Sequence, residues 1–219
     1  MKNFLKIEGI HSLAADAYSF MARINPVLQG FYKTIADEVC IELPTGRILD
    51  VGTGPGNLVF EIAKRSPQLE IIGIDISPSM IKIAGNKAMR MGFSKQLKFQ
   101  VANAADLPFE DEYFDLVISS LSLHHWANPI KSINEIHRVL KQNGRAWIYD
   151  IRQDTSNAVN AQVREKYGWF ISFLFLNIVR MHSSVNLGKI EQIVSSPEIS
   201  FDKKSVAGRG ILVKLKLLK

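Results

Sequence analysis

The sequence predicts an α/β fold: a doubly wound, mostly parallel sheet of seven strands, ended by an antiparallel hairpin and preceded by a helical cap. Three observations predict it. Short apolar runs alternate with amphipathic stretches from residue 46 to 151, the rhythm of βαβ units whose parallel strands are covered on both faces. Glycine, proline and asparagine mark the boundaries between them. Two final runs flank Ala207-Gly208-Arg209-Gly210, the pattern of a hairpin turn.

The first forty or so residues are expected to be helical. Ala14, Ala15, Tyr18, Met21 and Ala22, then Leu28, Tyr32, Ile35 and Ala36, recur at helical spacing around a break at Asn25-Pro26. Arg47 to Val51 is a short apolar strand, and Leu58, Val59, Ile62 and Ala63 share one face of the helix after it. Leu69 to Ile76 is the second strand. Ser77-Pro78 starts the next helix, because serine caps free N–H groups and proline fits the first helical position, and Gly92 ends it. Leu97, Phe99 and Val101 alternate as a third strand, and Asp115 to Ser119 form a fourth. Asn128-Pro129 opens a helix with Ile130, Ile133, Ile136 and Leu140 inward, expected to close at Asn143-Gly144. Arg145 to Ile151 is the fifth strand. A helical stretch over about Asn157 to Met181 separates it from the hairpin strands, Glu198 to Val206 and Ile211 to Leu218.

The bulk composition narrows the function classes. At 219 residues the chain suits one domain: residues 1–45 as cap, 46–151 as ligand-binding core, and 152–219 as helical insertion and hairpin. A 47% hydrophobic and 22% charged composition supports a packed core and argues against disorder. The lone Cys40 excludes a disulfide framework, a cysteine-rich metal site and chemistry needing several thiols, and it suits a reducing cytoplasm. MKNFLKIEGI lacks a signal-peptide core, and the apolar run Trp169 to Leu176 falls short of the ~20 residues of a spanning helix. No transmembrane segment is expected. The net charge of +6 is carried by Lys203, Lys204, Arg209, Lys214, Lys216 and Lys219, since the other basic and acidic residues balance at 21 each. That segment suits an anionic partner or, more simply, lysines at a sheet margin, so a nucleic-acid partner is not expected.

Open sheets of this kind bind ligands at the carboxyl ends of their strands, and three features fall there. Asp50-Val51-Gly52-Thr53-Gly54-Pro55-Gly56-Asn57 joins the first strand to the first helix. Its glycines allow a tight turn and close approach of a ligand, beside the unpaired N–H groups of a helix start. Alone, it is equally a plain glycine turn. Asp75 ends the second strand, 23 positions after Gly52, where a carboxylate can accept from two ribose hydroxyls. Alone, it could merely favour the helix dipole behind Ser77. Together they indicate a ligand containing a nucleoside. Val101 to Phe109 offers small residues around a flat base, with Asn103 or Asp106 as acceptors for an exocyclic amine. Asn57 stands where a dinucleotide fingerprint has its third glycine, which speaks against NAD and for S-adenosylmethionine (SAM). No Gly-Lys-Ser/Thr follows, which disfavours a phosphate loop.

The stretches RILDVGTGPGNL, IIGIDISPSMI, the loop ending in ADLPF, YFDLVISSLSLHHW and IHRVLKQNGRAWIYD run in this order from about Arg47 to Asp150. In them the chain resembles the class I SAM-dependent methyltransferases, nearest the small-molecule group that includes quinone-biosynthesis enzymes. The resemblance implies a Rossmann-like sheet with a terminal antiparallel hairpin. It also implies SAM as cofactor, S-adenosylhomocysteine as product and a small, apolar methyl acceptor. Carried over by position, Asp50, Gly52, Thr53, Gly54 and Gly56 surround the methionine part of SAM. Asp75, with Ile76 beside it, holds the ribose; Asn103 and Ala104 meet the adenine; Ser119, Ser120 and Leu121 border the methionine end. The family usually has an acid at Asn103, where asparagine still accepts through its side-chain oxygen.

SAM brings its own activated methyl group, so the protein must supply alignment, exclusion of water and sometimes a base. His124 and His125, on the ligand side of the fourth strand, are the candidate bases for an O–H, N–H or acidic C–H nucleophile. Adjacent histidines in an extended loop are expected to point apart, so no metal site is expected. Tyr18 and Tyr32 could close over the cofactor or pack in the core. Tyr167 to Met181, with Trp169, Phe170, Phe173, Phe175 and Leu176, suits a substrate pocket, a homodimer interface, a peripheral membrane contact or a buried cap helix. The alternatives to a methyltransferase are a SAM-binding partner subunit without turnover and an NAD(P)-dependent oxidoreductase. A nucleic-acid methyltransferase would carry an Asn-Pro-Pro-Tyr type motif where Ser119-Ser120-Leu121-Ser122 stands.

Overall fold

The computed structural model describes residues 25–174 and 185–219, so the expectations for Tyr18 and for Phe175 to Met181 lie outside the described residues. Helix α1 (Pro26–Glu42) starts at Asn25, whose side chain accepts from the N–H groups of Val27 and Leu28 at 2.9 and 3.3 Å. Two βα steps and a third strand follow: β1 (Gly46–Val51), α2 (Asn57–Arg65), β2 (Leu69–Asp75), α3 (Pro78–Met91) and β3 (Leu97–Val101). Then come β4 (Phe114–Ser120), a short 3₁₀ turn (Leu123–His125), α4 (Pro129–Val139) and β5 (Leu140–Ile151). Ser77 and Asn128 cap α3 and α4, each followed by a proline, and Gly92 closes α3 in the left-handed conformation. The remaining elements are α5 (Asn157–Tyr167), α6 (Trp169–Leu174), α7 (Leu187–Val194), β6 (Lys203–Arg209) and β7 (Leu212–Leu218).

The strands form one sheet in the order β3-β2-β1-β4-β5-β7-β6. All neighbours are parallel except β7, which runs antiparallel to both β5 and β6. Successive strand residues face opposite sides. Ile48, Trp147, Tyr149 and Ile151 therefore pack on α1 and α2, while Leu49, Val51, Val117 and Ile148 pack on the α4 side. The strand order reverses between β1 and β4, which opens a crevice beyond their carboxyl ends.

Four boundaries differ from expectation. Helix α4 stops at Val139 instead of Asn143, because buried Leu140 already pairs with Phe114 in the sheet. Asn143 takes a positive φ of 62° within the irregular start of β5. The long helical stretch breaks at Gly168 (φ 79°) into α5 and α6. The hairpin turn is Gly210-Ile211 alone, since Ala207 to Arg209 pair with β7, and β6 begins at Lys203 instead of Glu198.

The basic terminal segment is also not a simple sheet-margin fringe. Lys214 is 3% exposed, lies 3.9 Å from the Trp147 ring centroid and pairs with Glu38 of α1, which also accepts from the Tyr149 hydroxyl at 2.9 Å. Lys219 donates to the carbonyl of Leu140 at 2.7 Å. Among the described residues, no helix is long and apolar enough to cross a membrane.

Candidate cofactor site

The crevice between β1 and β4 is a cleft whose empty space, mouth included, is about 1230 Å³. Its floor is the turn after β1. Gly52 and Thr53 both donate their N–H groups to the Ile74 carbonyl at 2.8 Å, which folds the turn against the end of β2. Gly52 has φ 76°, and a Cβ there would lie 2.4 Å from the Ser122 side chain. Gly54 (φ 53°) has nothing within 4 Å of that position and faces open space. Gly56 (φ 81°) caps α2, and a Cβ there would press on Phe60 at 2.9 Å.

Asp75 stands at the carboxyl end of β2, on the cleft wall. Its two oxygens accept from Gly54 N–H and Ser77 N–H, each at 2.9 Å. Each oxygen keeps a second acceptor site, as a diol needs. Burial pushes its pKa up, against the pull of those backbone donors. Ile76, Asn103, Ala104, Ser120 and Leu121 line the same cleft. Asn103 folds back: its side-chain oxygen accepts from Ala105 N–H at 2.8 Å, so it shapes its own loop. That loop is fastened from α4. Glu135 accepts from Leu107 N–H at 2.9 Å, and Arg138 donates to the carbonyls of Leu107 and Phe109 while pairing with Glu135 and Asp111.

Asp50 and Ser119 lie beneath the cleft, fully buried. Neither Asp50 oxygen has a hydrogen bond of good geometry, and the Thr53 hydroxyl above it is also unpartnered. Burial raises the Asp50 pKa to about 7; the nearby Thr53 hydroxyl offsets part of that, and Asp75 adds to it. A buried, unpartnered carboxylate is costly unless a positive group or donor comes to it. The residues therefore fit SAM: an open glycine backbone, a paired-acceptor acid for a ribose, and an acid beneath the methionine end.

On the far wall, sequence reasoning named Ser120 and Leu121 but missed Ser122 and Trp126, which line it beside them. Ser122 donates to the Val51 carbonyl at 3.1 Å and accepts from Trp126 Nε1 at 3.1 Å and from the Ser119 hydroxyl at 2.9 Å. Ser119 thus lies behind Ser122 and is not among the residues that line the cleft. Leu121 has φ 57°, a strained value for a branched side chain, held by its N–H donating to the Tyr149 carbonyl. No sequence signal marks a serine for such a role. Asn57 also lines the cleft, with its amide nitrogen buried and unpartnered. Tyr32 is both core and cleft wall.

The two histidines do not point apart. They share the 3₁₀ turn with ring centroids 4.0 Å from each other, because that turn, unlike an extended loop, keeps successive side chains on neighbouring sides. His125 is exposed and lines the cleft, whereas His124 lies behind it, its Nδ1 within 3.0 Å of Asp150. Among the described residues no group of three or more His, Cys, Asp or Glu is placed to hold a metal.

Comparison with known proteins gives the family. A family model described as a methyltransferase domain matches residues 44–193. A ubiquinone/menaquinone biosynthesis C-methyltransferase UbiE of Geotalea daltonii is 31% identical over 66% of this chain and 63% of its own length. Its counterpart in Pseudomonas fluorescens is 32% identical over 78% of this chain and 66% of its own. The chain thus spans less than two thirds of the length of these relatives. Among solved structures, a candidate SAM-dependent methyltransferase of Methanococcus maripaludis superposes with a TM-score of 0.74 at 20% identity, over 100% of this chain and 96% of that one.

Proposed function

The chain belongs to the methyltransferase domain family, in its class I SAM-dependent branch, and from that premise we propose that it methylates a small, apolar, quinone-like acceptor. The observation that carries the cofactor is the open glycine turn between Asp75 and the unpartnered Asp50. The acceptor class rests on the quinone-biosynthesis relatives and on an apolar wall made by Tyr32, Leu121 and Trp126.

SAM supplies a methyl group already activated on a sulfonium. The protein's own residues do the rest. Gly52, Thr53, Gly54, Gly56 and Asp50 hold the methionine part, Asp75 and Ile76 the ribose, Asn103 and Ala104 the adenine side, and Ser120 and Leu121 the wall next to the acceptor. His125, which lines the cleft, takes a proton from the acceptor in this reading. Residues 1–219 act as one domain, and the single free Cys40 suits a cytoplasmic location.

Calorimetric titration with S-adenosylhomocysteine, with NADH and NADPH in parallel, tests the cofactor. Binding on the order of micromolar is expected for the adenosyl ligand only. Asp75→Ala should weaken it at least about 100-fold, as loss of charge-assisted bonds to two hydroxyls implies. A preference for a nicotinamide cofactor, or no adenosyl binding, would overturn the reading.

A further inference from the structure

Behind His125 lies a buried pair that the cofactor reading does not use. Asp150, near the end of β5, is fully buried, and among the described residues no lysine or arginine pairs with it. Its carboxylate accepts from the backbone N–H of His124 at 3.1 Å and of Ile151 at 2.8 Å, and takes the His124 Nδ1 at 3.0 Å. A ring nitrogen facing a carboxylate carries the proton, so this contact selects the Nδ1–H form of His124. Its Nε2 is buried without a partner and cannot reach the cleft as a base. The ring instead packs on His125, and the 3₁₀ turn that carries both is tied at its other end by His125 N–H donating to the Ser122 carbonyl at 2.9 Å.

We propose that His124 and Asp150 form a positioning pair: Asp150 locks the tautomer and place of His124, and the donor bond from His124 Nδ1 anchors the turn that holds His125 on the cleft wall for proton transfer from the acceptor. This rests on the methyltransferase reading for its purpose, although the pair itself is independent of which acceptor binds. The roles of the two adjacent histidines therefore differ. His125 is the group that meets the acceptor, and His124 acts only through it.

The test uses the full chain saturated with S-adenosylhomocysteine, with long-range ¹⁵N–¹H spectra of the histidine rings. In the wild type, His124 should carry its proton on Nδ1, and His125 should give one sharp set of ring signals. His124→Asn keeps an N–H where Nδ1 stood and should leave the turn anchored, with His125 signals close to wild type. His124→Phe keeps a ring without the donor, and Asp150→Asn removes the carboxylate charge; both should shift and broaden the His125 signals. With 1,4-dihydroxynaphthalene as acceptor probe, both should also lower kcat at least tenfold while cofactor-product affinity stays within about twofold. A His124 proton on Nε2, or His125 signals unchanged in His124→Phe, would overturn the proposal. Should one variant fail to fold, the wild-type tautomer and the other variant still decide it. Failure of the wild type to bind S-adenosylhomocysteine would sink the cofactor reading alone, because the histidine signals remain measurable without it.

Discussion

Asp50 is buried with its oxygens unpartnered, and its pKa is raised to about 7 from an ordinary 3.8. Between those values the folded protein binds a proton that the unfolded chain does not. The neutral carboxyl's contribution to stability is thus present at low pH and lost as pH rises towards about 7. A ligand with a positive end needs the anion, so it must expel that proton. Affinity for S-adenosylhomocysteine should then rise by up to about tenfold per pH unit between about pH 5 and 7 and level off above. Calorimetry in buffers of different ionisation heat should show proton release below about pH 7, and Asp50→Asn should abolish the dependence. Two glycines make a contrasting pair. Gly52→Ala forces a Cβ to 2.4 Å from Ser122 at positive φ and should cost several kcal/mol, about 1–2 of it from the backbone. Gly54→Ala meets nothing and should fold within about 2 kcal/mol of wild type, yet its methyl points into the cleft and should lower cofactor affinity more than tenfold. Thermal melts and titrations on the two variants separate these effects. At this scale the glycines were legible because their backbone geometry demands that residue type, and the position of Asp75 because it closes an apolar strand; Ser122 was not, since any small polar residue fits a loop.

Among the elements, α4 does more than cover the sheet. Its Glu135 and Arg138 hold the loop from Leu107 to Asp111 through backbone groups and Asp111, and that loop follows the Asn103 wall of the cleft. The bonds draw the Glu135 pKa down and push the Arg138 pKa up. Arg138→Ala should cost about 2 kcal/mol of stability, because it strips charged donors from carbonyls that are partly buried. It should also weaken cofactor binding severalfold without touching the cleft; chemical denaturation and the same titration measure both. The helix was legible from Asn128-Pro129 and its apolar spacing. Its end was not, because Leu140 leaves the helix to pair with Phe114, a choice made by the neighbouring strand.

At the scale of the whole molecule, a buried ion pair ties α1 to the far side of the sheet. Lys214 on β7 meets Glu38, over the faces of Trp147 and Tyr149. Lys214→Met should destabilise by about 3 kcal/mol, since it takes a buried cation away from a partly buried carboxylate. Adding Glu38→Gln should recover much of that loss, as a neutral pair needs no counter-charge; denaturation of the single and double variants tests it. The segment from Lys203 to Lys219 reads in sequence as lysines at a sheet margin, but its charge divides between outward side chains and internal partners.

By itself the sequence determined the βαβ rhythm, the glycine turn, Asp75 and the family, because each depends on local spacing or backbone freedom that a short stretch specifies. Only the tertiary structure decided that Asp50 is left unpartnered beneath the turn and that Ser122 braces the floor of the cleft. It also decided that Lys214 serves as a counter-ion and that of two adjacent histidines one faces the cleft and the other a buried carboxylate. Those outcomes join residues from distant strands, and burial and pairing across such distances depend on how the elements pack.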